Sequence, residues 1–284
     1  MIKYKVNYDI ETKLDREKWN NKIFESKNCG QFKIIGVYSQ NKYKAKSYIC
    51  EFLDTKFQIV TMCNDIKRGN VKDHYKPLVY NTGFSGDYKG ALEKHRFYKT
   101  WVYMFHRVYN SDYLNRFPQY KDVIIDEKWH NFSYFISDVE SIIGFDELIK
   151  HKDIKFELDK DILQHNNKIY SLKTCCFVPN KLNSFFINKQ NTNISGFEGV
   201  GLTQDKYYRA RVNKDGKSIF IGHFTNPLNA YIEYHKQKLN VLEYYLNNEF
   251  KWIDDRIKES MYKKLAIQFE ETLNNNILRD EVIK

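Results

Sequence analysis

Two groups of side chains in this 284-residue chain have the types and spacing to do chemistry. In IKFELDKDIL, the carboxylates Asp159 and Asp161 stand two positions apart. On a strand, where side chains alternate, they would share a face about 7 Å apart. Asn183, in NKLNSFFI, projects from a short helix and could approach that face. A carboxylate and an amide oxygen are hard ligands, suited to one Mg²⁺ or another divalent cation that keeps several waters and takes a phosphate oxygen as substrate. The same residues also read as solvated strand carboxylates and a surface helix amide, and spacing alone leaves both readings open. The second group lies in KYYRARVNKDGKSIF, where Tyr207, Arg209, Arg211 and Asn213 would face one way and Tyr208, Ala210 and Val212 the other. With Lys206, Lys214 and Lys217, the first face makes a basic ribbon near only two carboxylates, Asp205 and Asp215. A β-ribbon of this kind fits the major groove, where Arg can be bidentate to guanine and Lys can meet phosphate.

The elements that must position these groups follow from pattern and punctuation. Residues 154–187 read as strand (IKFELDKDIL), turn (QHNNK), strand (KIYSLKTCCFV) and a short helix opened by Pro179. A ββα unit of about 30 residues is too small to be stable alone, and it is expected to lean on the aromatic helices before it. FEGVGLTQ and KYYRARVNKDGKSIFIGHF give three strands, the last two joined at Asp215-Gly216. Asn226 then caps a helix begun by Pro227, with Leu228, Tyr231, His235, Leu239, Leu242 and Leu246 as its apolar stripe and His235 as a core or rim histidine. A further amphipathic helix follows, with Trp252, Ile253, Ile257, Met261 and Leu265 on one face.

Upstream, residues 1–30 are polar and helix-compatible, a lead-in helix. FKIIGVY (32–38), KSYICEF (46–52) and KFQIVTM (56–62) predict a small antiparallel sheet. The basic segment DIKRGNVKDHYKP gives this 31–90 module a DNA contact, and NTGFSGDYKG (81–90) marks a boundary. In HRFYKTWVYMFHRVYN, Phe97, Trp101, Met104, Phe105 and Val108 recur at helical spacing. After a short strand at 123–125, Asp126 caps a second helix bearing Trp129, Phe132, Ile136 and Val139. Both stripes read as core.

Composition narrows the partner. Lys and Arg total 46 against 36 Asp and Glu, a net charge of +10, which favours a polyanion. At 42% hydrophobic and 29% charged the chain is not disordered by composition. No stretch reaches the ~20 apolar residues of a spanning helix, and the N-terminus has no apolar secretory core, so no membrane partner and a cytoplasmic location are expected. Five cysteines without a CxxC pair read as buried thiols, and no zinc is expected. No Walker loop, GxGxxG or GxSxG is present to support a nucleotide or hydrolase reading.

Over residues 95–190, YKTWVYMFHRVYN, IIDEKWHNFSYF, LDKDIL and NKIYSLKTCCFVPNKLNSFF, in that order, resemble phage-encoded HNH-type endonucleases of the homing class, which are ββα-metal enzymes. The resemblance implies that Asp159 is the strand ligand, Asn183 the helix ligand and Asn167 the turn residue that braces the site. Where that family has its general-base His, this chain has Lys160. A lysine is mostly protonated at pH 7 and so a poor base, though it could stabilise phosphorane charge. His165 is the nearest substitute. Over about 50 residues (195–247), GV, YYRARV and GKSIFIGHFTNPLNAYIEYHK resemble the APETALA/ethylene-response-factor (ERF) DNA-binding domain. This implies that Arg209 and Arg211 contact duplex DNA, with Tyr207 and Lys217 beside them. The expected fold is α+β and multi-domain: lead-in 1–30, β-rich module 31–90, HNH-like ββα domain 91–190, ERF-like sheet plus helix 195–247 and helical extension 248–284. The expected activity is metal-dependent hydrolysis of phosphodiester bonds in duplex DNA. One alternative is a non-catalytic DNA-binding or regulatory protein on a degenerate HNH fold. Another is an RNA- or protein-interaction module whose tyrosines stack on unpaired bases.

Overall fold

The computed structural model describes residues 5, 18–19, 22–40, 45–186 and 195–282, with side chains as far as 276. The architecture is mixed α+β with several small sheets. Two compact units divide the chain, one holding residues up to 121 with 125–137, the other 122–124 with 138 onward. The division falls inside the segment expected as 91–190, not at its ends.

In the first unit, β1 (Ile23–Ser26), β2 (Gly30–Gln40), β3 (Lys46–Phe52) and β4 (Gln58–Met62) form an antiparallel meander in that order. Most of the expected lead-in helix lies outside the described residues. Where described, it includes β1, a strand: Ile23 pairs with Lys33 and Ser26 with Gly30. Gly30 has φ +79°, a left-handed conformation that closes the tight turn and lets β1 pair with β2. Phe32, Tyr48, Cys50 and Phe52 alternate inward and meet Ile66 of α1 (Cys63–Arg68), a helix within the basic segment.

Helix α2 (Tyr98–Tyr109) buries Trp101, Met104, Phe105 and Val108, as its spacing requires, and the Trp101 indole donates to the Trp129 carbonyl at 2.7 Å. Asn110 accepts from the Tyr113 amide and caps α3 (Ser111–Arg116). The single helix expected after Asp126 is two pieces, a 3₁₀ turn at Glu127–His130 capped by Asp126 and α4 (Phe132–Val139). They part at Asn131, whose side chain accepts from the Ser133 amide and hydroxyl. The loop expected as a boundary is packed instead. Phe84 exchanges backbone hydrogen bonds with His130 and Phe132, and Gly83 lies against Trp101 and Phe105, leaving no room for a side chain.

In the second unit, Ile124 of β5 (Ile124–Ile125) donates its amide to the Lys168 carbonyl. The unit continues through α5 (Phe145–Lys150), β6 (Phe156–Asp159), β7 (Ile169–Tyr170), β8 (Cys176–Pro179) and α6 (Asn180–Phe185). Strands β6 and β8 are antiparallel, with Phe156 opposite Pro179 and Asp159 opposite Cys176. Both expected strands are shorter than read. The second is split, and Pro179 ends β8 rather than forming the first helical residue.

Next come β9 (Val200–Leu202), β10 (Tyr208–Lys214) and β11 (Lys217–Phe224), an antiparallel sheet with β10 central. Behind it lie α7 (Pro227–Tyr244), followed by a π-turn at Tyr245–Glu249, and α8 (Asp255–Val282). Asn226 caps α7 as expected, accepting from the Leu228 and Asn229 amides. The buried stripe is rotated from the expected one: Ala230, Tyr231, Tyr234, Val241 and Leu242 are inside, while Leu228 is exposed. Lys238 is buried as well, because Glu198 meets its ammonium at 2.9 Å.

One core runs through this unit. Ile162, Val178 and Leu182 of the ββα segment join Ala210 and Val212 of the sheet, Tyr231 and Leu242 of α7, and Ile257, Met261 and Leu265 of α8. The ββα segment therefore leans on elements that follow it, and the expected boundary at 190–195 does not divide this core. At the hairpin tip, the Tyr245 hydroxyl accepts from the Asp215 amide and donates to its carboxylate. Lys181 of α6 lies 4.3 Å over the Tyr245 ring and ion-pairs with both Asp215 and Glu249.

Candidate functional site

Strand β6 stops because Asp159 turns on its own backbone. Its Oδ1 accepts from the Asp161 and Ile162 amides, each at 2.7 Å, and this turn takes the next residues out of the sheet. Asp161 therefore does not share a strand face with Asp159. Its carboxylate lies between two ammonium groups, Lys160 at 2.9 Å and Lys264 of α8. Lys160 is 6% exposed, and its ammonium also donates to the Asn167 carbonyl at 3.0 Å. Asn167 returns the contact, donating to the carbonyls of Lys160 (2.6 Å) and Ile169 (2.8 Å), so it braces the turn. Burial, reinforced by the neighbouring Asp161 charge, raises the Asp159 carboxyl above its ordinary range. Burial pushes Asp161 up too, but the Lys264 and Lys160 charges outweigh it and hold that carboxyl low.

The other expected site residues have different partners. His165 places Nε2 3.1 Å from Glu271 of α8. Asn183 donates to Glu157 Oε2 at 2.9 Å, and Asn180 donates to Oε1 at 2.6 Å. Glu157 is partly buried, which would raise its carboxyl, yet the two amides and Lys155 lower it. It was missed in the sequence. The signal was present, because Glu157 precedes Asp159 by two on the same strand and Asn180 and Asn183 are one helical turn apart.

The proposed ion set thus does not fit. Asp159 is capped by backbone amides, the Asp161 carboxylate already has two lysines as counterions, and the Asn183 amide is turned to Glu157. Among the described residues, no group of three or more His, Cys, Asp or Glu side chains is gathered about one point.

The β9–β11 sheet is arranged differently. Ala210 and Val212 are buried against the core while Arg209, Arg211 and Asn213 are exposed on the other face, the alternation read from the sequence. Arg209 pairs with His223 and Gly201, and a bulge between Ala210 and Arg211 sets Arg211 opposite Phe220. Phe220 is 52% exposed. Asp215 and Gly216 both have positive φ, 55° and 74°, the two-residue turn whose twist matches a hairpin. Lys217 and Tyr207 are exposed at its two ends. The three strands carry no carboxylate, and no hydrogen bond or ion pair to a described residue engages the Arg209 or Arg211 guanidinium. Lys214 instead lies over the Tyr244 ring at 3.2 Å. Among the described residues, no helix is long and apolar enough to cross a membrane.

No family model, no curated protein and no solved structure matches this chain.

Proposed function

We propose that this protein binds duplex DNA through the exposed face of β9–β11, with the ββα segment acting as part of the scaffold behind that face. The observation that carries the reading is the pair of guanidinium groups, Arg209 and Arg211, exposed on a carboxylate-free sheet face. Guanidinium groups with no partner among the described residues can be bidentate to guanine without first breaking an ion pair. Lys217 and Tyr207 at the margin supply phosphate and sugar contacts, which position the ribbon but do not specify sequence.

A second reading is a divalent-metal-dependent endonuclease of HNH type that cuts or nicks duplex DNA. It is favoured by the order of β6, β8 and α6, two antiparallel strands followed by a helix. It requires Asp159 and Asn183 to be released from their present partners. It also needs a base other than Lys160, whose buried ammonium donates to the Asp161 carboxylate and the Asn167 carbonyl.

Selection of bound duplexes from a random 20-bp pool, followed by fluorescence anisotropy, tests both. Each Arg209→Ala or Arg211→Ala change is expected to weaken the selected duplex by roughly 5- to 150-fold, the ~1–3 kcal/mol of a bidentate base contact. Asp159→Ala should bind as wild type, and supercoiled plasmid should stay intact with Mg²⁺ or Mn²⁺. If the double arginine variant binds unchanged, the sheet is not the reading surface. Metal-dependent nicking that Asp159→Ala abolishes would establish the second reading.

A further inference from the structure

The first unit carries an exposed aromatic array that the sheet reading does not use. On α2, the residues opposite the buried Trp101, Met104, Phe105 and Val108 include Tyr103, which is 61% exposed. From it a chain of rings runs across the surface. Tyr103 and His106 centroids are 6.0 Å apart, His106 and Tyr113 5.3 Å, and Tyr113 and Phe117 4.6 Å. Tyr120 adjoins Tyr113 at 5.4 Å, and the Tyr80 hydroxyl meets His106 Nδ1 at 2.7 Å. Phe117 is 39% and Tyr80 36% exposed. His106, Tyr113 and Tyr120, which link these rings, are half-buried, so the exposed Tyr103, Phe117 and Tyr80 belong to one connected array rather than to single scattered residues, the arrangement that marks a binding surface.

Charge selects the class of partner. Helix α2 has no Asp or Glu along its length, while Lys99 lies one turn before Tyr103 and Arg107 one turn after it. Arg116 adjoins Phe117, with Asp112 the carboxylate on α3. Aromatic faces interleaved with cations suit a polyanion that offers its own flat π-faces. Bases in a duplex are stacked on one another and do not offer theirs, whereas unpaired bases do.

We infer that the ring array around His106 is a stacking platform for single-stranded DNA. The choice of DNA over RNA rests on the duplex reading of the β9–β11 sheet. The platform itself is independent of that sheet.

The test uses the full chain and a 12-nucleotide single strand containing 2-aminopurine, whose fluorescence falls when the base stacks. Quenching that saturates with protein is expected. Tyr103→Ala and Phe117→Ala should each weaken binding about tenfold, within the ~1–3 kcal/mol that a stacked base contributes, and Tyr103→Phe, which keeps the ring, should bind as wild type. Both alanine variants should keep the duplex affinity set by Arg209 and Arg211. Loss of duplex binding with retained single-strand quenching would overturn only the sheet reading. Unchanged quenching in Tyr103→Ala and Phe117→Ala would overturn the platform, as would quenching lost in Arg209→Ala/Arg211→Ala instead. Tighter binding of the matching RNA 12-mer would overturn the choice of DNA. A concentration-dependent dimer abolished by Tyr103→Ala, without quenching, would make the array a contact between copies of this chain.

Discussion

Replacing Asp161 with Asn tests whether a buried charge cluster ties the 160–168 turn to α8. The carboxylate is the shared counterion of two lysines whose side chains are 7% (Lys160) and 10% (Lys264) exposed, while its own side chain is 31% exposed. Removing one partner of a buried pair costs ~3–5 kcal/mol, because the other charge is left in the interior. Here the lysines would each keep one carbonyl, that of Asn167 for Lys160 and that of Asp161 for Lys264, and the lost carboxylate has partial access to water. The expected cost is therefore at the lower end, roughly 2–4 kcal/mol at neutral pH. Urea unfolding followed by circular dichroism gives the total, and hydrogen exchange of the amides in residues 160–168 shows whether the turn opens with α8. Lys264→Met removes one of the two ammonium groups, so the double variant should lose less than the sum of the singles by about 1–3 kcal/mol. The pH dependence has a fixed sign. The Asp161 carboxyl is held below its unfolded value, so its contribution is complete above the ordinary carboxylate range and lost as pH falls through the folded value. The gap between wild type and Asp161→Asn should accordingly close on acidification. A cost under about 1 kcal/mol, below that of a buried pair broken by losing one partner, or a gap that widens toward acid, would refute the cluster as a buried ionic tie.

Two further outcomes follow from packing. Gly144 has φ +86°, and a Cβ there would overlap the Phe177 carbonyl oxygen, so Gly144→Ala combines left-handed strain of about 1–2 kcal/mol with a displaced backbone. Thermal unfolding should show clear destabilisation, and an unshifted midpoint would mean that the β8 backbone does not approach Gly144 in solution. Burial pushes the Cys50 and Cys175 thiols up to about 12 and raises Cys176 as well, whereas Cys29 and Cys63 are partly exposed. Iodoacetamide at pH 8 should therefore label Cys29 and Cys63 in the native protein and the other three only on unfolding, as read by peptide mass spectrometry; early labelling of Cys175 would contradict the packing of the ββα segment.

Local signals carried far in this chain, and they failed where a distant partner decides. Period-two runs located β2, β3 and β4, and the turn at Asp215-Gly216 and the cap at Asn226 lie where their residue types require. The exposure of Arg209 and Arg211 followed from alternation alone, since Ala210 and Val212 had to be the buried pair. Strand β1 was hidden because it is only four residues long and gains order by pairing with β2 across Gly30. The stripe of α7 was mis-phased because a buried lysine was not expected. Glu198, 40 positions earlier, supplies the charge that lets Lys238 lie inside. The expected common face of Asp159 and Asp161 failed for a related reason. The two carboxylates stand two apart in sequence, but Asp159 turns on its own backbone and Lys264, 103 residues downstream, is counterion to Asp161.

The tether at the hairpin tip bears on how a nucleic acid would meet the sheet. Asp215 is the acidic residue at the end of a basic ribbon, where a phosphate would otherwise meet a like charge. Lys181 and the Tyr245 hydroxyl both engage that carboxylate, so its charge is masked from within the protein. The same contacts join the tip to α6 and to the π-turn after α7, and the ribbon can pivot only if those elements move with it. A pre-set ribbon pays little ordering entropy on association, and a duplex would have to bend to the protein rather than the reverse. Sequence selection by such a surface would draw on how readily the DNA deforms as well as on its base edges.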